Sequence, residues 1–372
     1  MAFYADKDYT EDQTVLEAAN QVMQGNLSLH WYDAKTEKIK GKPSDPRRGL
    51  TYQDLDIGTY GYTSIPENVR TSQSMVARGS EKVGKLPDMG YVVNRKSDVW
   101  SDNVTGLYEE DKARRWVPAV DAPWTDLDKH PLAPEIEAAC AQLYTFLQEC
   151  ALVSLDFPSR WVALINQDFI EHKSWMCAQM LDWARLLEAF RKRALYGGAG
   201  LKRASATAEQ GLKEWLWAET FPQGSLSINL SLGGFLLVLC RQVAAFAPSK
   251  VDLSVMRYAM QDAARQTAYG LGQLRYHLKH RPSEVGAMQE YVDDTEHVML
   301  GILGSPELLE PLIIISGGGL SQEQVRAGRI AASKFIRLAT REYFERLECA
   351  GLAGRAKRSR IPAVIDRIHL AA

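Results

Sequence analysis

The sequence predicts an all-α protein: a helical bundle preceded by a long irregular arm. Three observations carry this. From Ala133 onward, apolar residues recur at helical spacing over segments much longer than strands. Pro residues and Gly-rich strings punctuate those segments as stops. After residue 125 no alternating strand pattern occurs.

In chain order, residues 1–125 are polar and broken by turn-rich strings such as GKPSDPRRG (41–49), IGTYGYTSIPEN (57–68) and VPAVDAPW (117–124). The aromatics spread through this arm (Trp31, Tyr52, Tyr60, Tyr62, Tyr91, Trp100, Tyr108, Trp116, Trp124) predict ordered packing on the main body. Residues 133–157 form the first long helical pattern, with a break expected at Pro158. The next pattern, 159–195, ends at GGAG (197–200). A shorter helix is expected within 205–220. Residues 225–246 are apolar on nearly every face and read as one buried central helix. Residues 249–280 give another long helix before Pro282. SEVGAMQEYVDDTEHVMLGIL follows, and after the SGGGLS turn (316–321) a last long helix reaches about Glu348. The basic string GRAKRSR (354–360) reads as a solvated end. The chain thus divides into an arm (1–125), a bundle (126–302) and C-terminal helices with a basic tail (303–372).

Composition excludes several classes. The 372 residues are 46% hydrophobic and 24% charged with net charge -2, so nothing electrostatic calls for nucleic acid or an acidic membrane. The apolar runs Phe235 to Cys240 and Leu312 to Ile315 are far short of the ~20 residues of a membrane span. The polar N-terminus MAFYADKDYTEDQ is no secretory signal. Five scattered cysteines without a CxxC spacing read as free thiols buried in helices, in a reducing cytoplasm.

The chemically informative feature is a repeated frame. LDWARLLEAF (181–190) and QDAARQTAYG (261–270) share Asp-x-Ala-Arg-x. The two variable positions lie three apart, on one helix face that looks into a bundle core. The stretches 179–201 and 257–275, with the FRKRAL and AYG flanks, resemble the ferritin-like di-iron carboxylate superfamily, and within it a bacterial branch whose two helices each carry D-E-A-R-H. The likeness covers about residues 133–281. It implies a ferritin-like four-helix bundle core in which each of two helices gives a Glu and a His, and two further helices give one Glu each.

Against that pattern the ligands are replaced. The first Glu and His fall on Trp183 and Leu186, the second pair on Ala263 and Gln266. Between Phe221 and Val251 there is no acidic residue to supply the Glu of the intervening helix, and Glu149 is the sole carboxylate candidate on the first. One carboxylate of six ligands does not hold two irons. Asp182 and Asp262 sit about 100° off the ligand face and are expected to pair with Arg185 and Arg265 as structural supports. Trp183 and Leu186 are expected to refill the vacated cavity with apolar volume.

Other constellations are weaker. Glu290, Asp294 and His297 share a helix face with ligand-like spacing, against the commoner reading of a solvated acidic face. Glu171 and His172 are adjacent and diverge by about 100°. His277 and His280 sit at a helix C-terminus, where the dipole favours them. Neither Gly-rich string follows a strand, so no phosphate loop is indicated, and no nucleophile motif occurs.

The resemblance implies a first functional expectation: a non-catalytic subunit that binds no metal of its own and supports a di-iron catalytic chain, as ligand-less ferritin-like chains do in bacterial multicomponent monooxygenases and phenylacetyl-CoA epoxidase. A second expectation is a stand-alone enzyme using the refilled cavity, with Glu149 as acid or base beside Gln266 and Tyr144 or Tyr269. A third is a structural or binding homo-oligomer.

Overall fold

The computed structural model describes residues 8–69, 76–81 and 89–368; the first seven residues and the last four, parts of the arm and the C-terminal region, lie outside them. The described residues contain no strand, and two isolated bridges, Asn68 with Arg95 and Val93 with Ile165, are all the β pairing among them.

The arm carries α1 (Gln13–Met23), α2 (Tyr52–Leu55), α3 (Lys96–Val99), α4 (Val104–Ala113) and α5 (Asp126–Lys129). The body follows as α6 (Pro134–Val162), α7 (Ile170–Tyr196), α8 (Ala206–Leu216), α9 (Phe221–Gly224), α10 (Gly233–Ala245), α11 (Lys250–His280), α12 (Val285–Leu303), α13 (Pro306–Gly317) and α14 (Gln322–Ala350). Two short helices close the chain, α15 (Arg355–Arg358) and α16 (Ile361–Arg367). Four long helical segments make the core: α6 against α7, and α10 with its preceding turns against α11. The α6–α7 pair is antiparallel, because Glu137 near the start of α6 meets Arg193 near the end of α7 at 2.8 Å.

Arg193 is fully buried and also binds Asp252 at 2.7 Å, so one guanidinium from the FRKRAL string ties α6, α7 and α11 together at one end of the bundle. The Gly-rich stop beside it is steric as well as conformational. A Cβ at Gly197 would overlap the Glu137 carboxyl, the partner of Arg193.

Four expectations need correction. The helix does not break at Pro158: α6 continues to Val162. Proline there removes one hydrogen bond in the last turns, and burial of Phe157 and Trp161 against Phe221, with ring centroids 5.5 and 5.7 Å apart, offsets the loss. The central apolar segment is not uniformly α. Ser225–Leu232 winds as a π-helix between α9 and α10, and its Ser225, Ser227, Asn229 and Ser231 are all buried. The wider turns press on α11 where Gly270 leaves room; a Cβ there would stand 2.8 Å from Asn229. By length and composition Phe221–Ala245 could cross a membrane, yet 72% of its most apolar window lies inside the bundle.

The basic tail is the third correction. Arg355 of α15 is fully buried and bonds Glu296 at 2.8 Å, Asp293 at 2.7 Å and the Gln289 carbonyl at 3.0 Å. Ser359 donates to the other Glu296 oxygen at 2.6 Å. A buried carboxylate on α12 requires a cation, and the tail supplies it. Fourth, the arm packs only in part. Residues 51–125 bury Trp100 and Trp116, whereas α1 buries no residue and Trp31 is 67% exposed. Three cysteines (Cys140, Cys150, Cys240) are buried and two (Cys177, Cys349) are exposed.

Replacing Arg355 by Ala strands the buried Glu296 carboxylate. The expected loss is about 3–5 kcal/mol in urea unfolding, with early proteolytic release of the segment after Ala350. A loss below about 1 kcal/mol would show that Glu296 finds another partner.

Candidate functional site

The two Asp-x-Ala-Arg frames meet at the bundle centre. Asp182 and Arg185 come from α7, and Asp262 and Arg265 from α11; both aspartates are fully buried. Each arginine binds the aspartate three residues before it, Arg265 to Asp262 at 2.5 Å and Arg185 to Asp182. Each also crosses to the other helix, Arg265 to Asp182 at 3.0 Å and Arg185 to Asp262 at 3.5 Å. The result is a closed ring of alternating charge.

A third carboxylate enters from the arm. Asp111 of α4 is fully buried and lies 3.4 Å from Arg265 and 3.6 Å from Arg185. Trp116 donates its indole N–H to Asp262 at 2.9 Å and stacks on Tyr258 at 4.5 Å. Sequence reasoning missed Asp111 and read Trp116 only as one of the arm aromatics that pack on the body. The signal was present: Asp111-Lys112-Ala113-Arg114 is a third copy of the Asp-x-Ala-Arg string, placed where no helical periodicity directs attention to it.

Three carboxylates share two buried guanidinium groups. Burial and the neighbouring Asp262 and Asp111 push the Asp182 carboxyl up to about 9, and burial raises Asp262 as well. The network therefore holds a proton at neutral pH.

The four residues that the resemblance places at ligand positions lie on the same two helices, α7 and α11. Trp183, Leu186, Ala263 and Gln266 are all buried. Gln266 donates through Nε2 to Asp182 at 3.0 Å, and its Oε1 and the Trp183 indole N–H find no partner. The fifth candidate is elsewhere. Glu149 is half-buried, and the carboxylates that raise its pKa to about 7, after burial itself, are Glu209 of α8 and Glu307 of α13. Tyr144 of the same helix packs on Phe190 of α7 at 5.9 Å. Five residues at 100° each put Glu149 about 140° around α6 from that stripe. It thus faces α8 and α13, away from Trp183. Tyr144 and Tyr269 are fully buried, the latter donating to the Val99 carbonyl at 3.0 Å, so neither faces a solvent-open cavity with Glu149.

These residues do not fit a metal pair. Of the four positions that the resemblance assigns to ligands, two are large and apolar, one is a methyl group, and the fourth is an amide whose donor side is aimed at a carboxylate. The nearby aspartates are committed to guanidinium groups. Among the described residues no three His, Cys, Asp or Glu side chains are grouped to hold a metal ion. That includes Glu290, Asp294 and His297, which are exposed on α12. The buried carboxylate of that helix is Glu296, on another face and taken by Arg355.

His172, on α7, is fully buried; its Nε2 accepts from the Ser101 amide at 3.0 Å, and burial pushes its pKa down to about 3, so it is a neutral packing residue against Trp100. His277 is buried too, bridging Ser97 and Glu284 at 3.0 Å each, which fastens α3 to α11 instead of merely capping a dipole. His280 remains exposed over Tyr276.

No known family profile matches this sequence, and no curated protein does. Solved structures do. An R2-like ligand-binding oxidase with aerobically reconstituted metal cofactor after photoconversion superposes with a TM-score of 0.54 at 16% identity, over 68% of this chain and 95% of that one. A substituted R2-like ligand-binding oxidase with aerobically reconstituted Mn/Fe cofactor gives 0.53 at 17% identity, over 67% and 94%. The chain has the ferritin-like helical fold of these oxidases, and about a third of it lies outside the likeness.

Two outcomes follow. Trp183→Ala leaves an unfilled volume in the bundle centre, and the expected destabilisation is about 3–5 kcal/mol by denaturant unfolding. The second concerns pH. An unfolded Asp titrates near 3.9, whereas folded Asp182 titrates near 9, so between these values the folded state binds the extra proton. Stability contributed by that proton is complete below the lower value and declines as pH rises to the upper one. Urea midpoints measured from pH 5.5 to 9.5 are expected to fall with pH, and Asp182→Asn, which fixes the neutral form, to flatten that fall. An unchanged slope in the variant would remove Asp182 as its source.

Proposed function

We propose that this chain is a metal-free, non-catalytic ferritin-like subunit that braces a di-iron oxygenase chain in a cytoplasmic hetero-oligomer. The observation that carries the reading is the substitution of the centre itself: a ferritin-like bundle with Trp183 and Leu186 packed at ligand positions and an Asp–Arg ring at its middle. A bundle built this way keeps the rigidity of the fold while giving up the ligand set that O2 chemistry on two metals needs.

The arm supports a partner-binding role. α1 and the residues after it leave Val15, Leu16, Val22, Met23, Trp31 and Tyr32 exposed, with Met23 at 86%. Apolar and aromatic groups displayed at one end of a chain are what an association surface uses. The iron of the complex would reside in the partner, and the substrate would be a small organic molecule or thioester oxidised there.

Native mass spectrometry of the tagged chain purified from its own host tests this. The expected spectrum contains this chain without metal, in stoichiometric complex with a second, iron-loaded chain. A lone chain or homo-oligomer carrying two metal ions per copy would overturn the proposal; a metal-free homo-oligomer would replace the partner by self-association.

A further inference from the structure

A second polar cluster lies at the start of α7, eleven residues before Asp182 of the Asp–Arg ring. There Glu171 is 1% exposed and receives two bonds from Arg78, one of them at 3.0 Å from Nη1. Arg78 also binds Asp56, which is 4% exposed, at 3.2 Å. Its remaining donors go to the Tyr60 carbonyl from Nε and the Asp168 carbonyl from Nη1, each at 2.8 Å. A guanidinium has five N–H donors, and these five bonds use all of them. Arg78 can do nothing more for the second carboxylate. Asp56 Oδ2 accordingly has no partner although it is buried.

Asp56, Arg78 and Glu171 are among the residues that line a surface groove of about 350 Å³. The walls are the Tyr52 and Tyr60 rings and the Leu55 and Ile170 side chains, the last two each 47% exposed at the rim. The Tyr52 hydroxyl, 2.9 Å from Ser174 Oγ, is a further polar atom in the wall.

We propose that this groove binds a primary ammonium group carried on an apolar stem, with the ammonium seated at Asp56 Oδ2. Two carboxylates against one fully committed cation leave room for a single positive charge and no more. A primary ammonium offers three compact N–H donors to Oδ2 and the Tyr52 oxygen, and the tyrosine faces favour a cation above them. The stem lies along Leu55 and Ile170, as methylene groups do when a charged head is buried. The cluster does not contain the three grouped ligands a metal would need.

In the empty groove a proton takes the place of the cation. Burial first, and then Glu171, push the Asp56 carboxyl up to about 8. Arg78 opposes this, Tyr62 faces Asp56 from the arm, Asp168 faces Arg78, and Lys96 and His172 lie nearer Glu171. Cation binding displaces the proton, so affinity rises with pH up to about 8 and then levels.

The test is a titration of the full chain with n-butylammonium chloride and with Nα-acetyl-lysine methylamide, followed by the ring resonances of Tyr52 and Tyr60, with n-butanol as the uncharged control. Saturable shifts are expected with both cations and not with n-butanol. Binding at pH 8.5 should exceed that at pH 6.5 by about 20-fold, the ratio set by a displaced proton with that titration midpoint. Asp56→Asn should weaken binding at least tenfold. The wild-type pH and n-butanol comparisons stand even where that variant does not fold. Tenfold tighter binding of the lysine compound assigns the groove to a lysine of a docked chain; equal or weaker binding assigns it to a free amine. Absence of saturation, equal response to n-butanol, or a folded Asp56→Asn protein with wild-type affinity would overturn the proposal. None of these outcomes depends on the metal content of the bundle.

Discussion

Two guanidinium groups, Arg185 and Arg265, hold three buried carboxylates from three helices, and the interior of the bundle is arranged around that contact. Ionised groups so far from water are tolerated only when each meets an opposite charge at hydrogen-bond range. The constraint is mutual. Asp182 and Asp262 fix the register of α7 against α11, and Asp111 pins α4 across both, so the arm is part of the core's electrostatics. Trp183 and Ala263, each next in sequence to a ring aspartate, are both buried in the core.

The same device recurs twice more. Arg193 joins α6, α7 and α11 at one end, and Arg355 fastens the C-terminal segment to α12. In each case a buried arginine satisfies carboxylates from elements distant in sequence, with several bonds per guanidinium. Such contacts add specificity more than net stability, because desolvation opposes the Coulombic gain. The apolar packing around them supplies the larger favourable term.

The clusters differ in how their carboxylates are answered. At Arg193 two carboxylates meet a guanidinium that bonds both fully. At the bundle centre the excess carboxylate is sealed in and answered by a proton. At Asp56 the excess lies beside a surface groove, where the proposed ammonium would compete with the proton. Access to solvent, not charge, decides which cluster is a site and which is a support.

Helical periodicity and the repeated Asp-x-Ala-Arg frame determine the helical class, the bundle and the shared face of Trp183 with Leu186 and of Ala263 with Gln266, because residues three and four apart on a helix share a face whatever surrounds them. The pairing of each Asp with its own Arg is legible for the same reason. The tertiary structure alone decided the rest. Asp111 joins the ring from a segment with no periodic signal. The tail docks because Glu296 is buried, which a basic run read in isolation does not reveal. Glu149 turns out to face α8 and α13, since a helix with several neighbours has no single inward side. The π-helical turns depend on Gly270 of another helix, and the full commitment of Arg78 depends on Asp56, Tyr60, Asp168 and Glu171 converging on it. Local sequence fixes what a residue can offer along its own helix; which partner accepts the offer is set by elements far away in the chain.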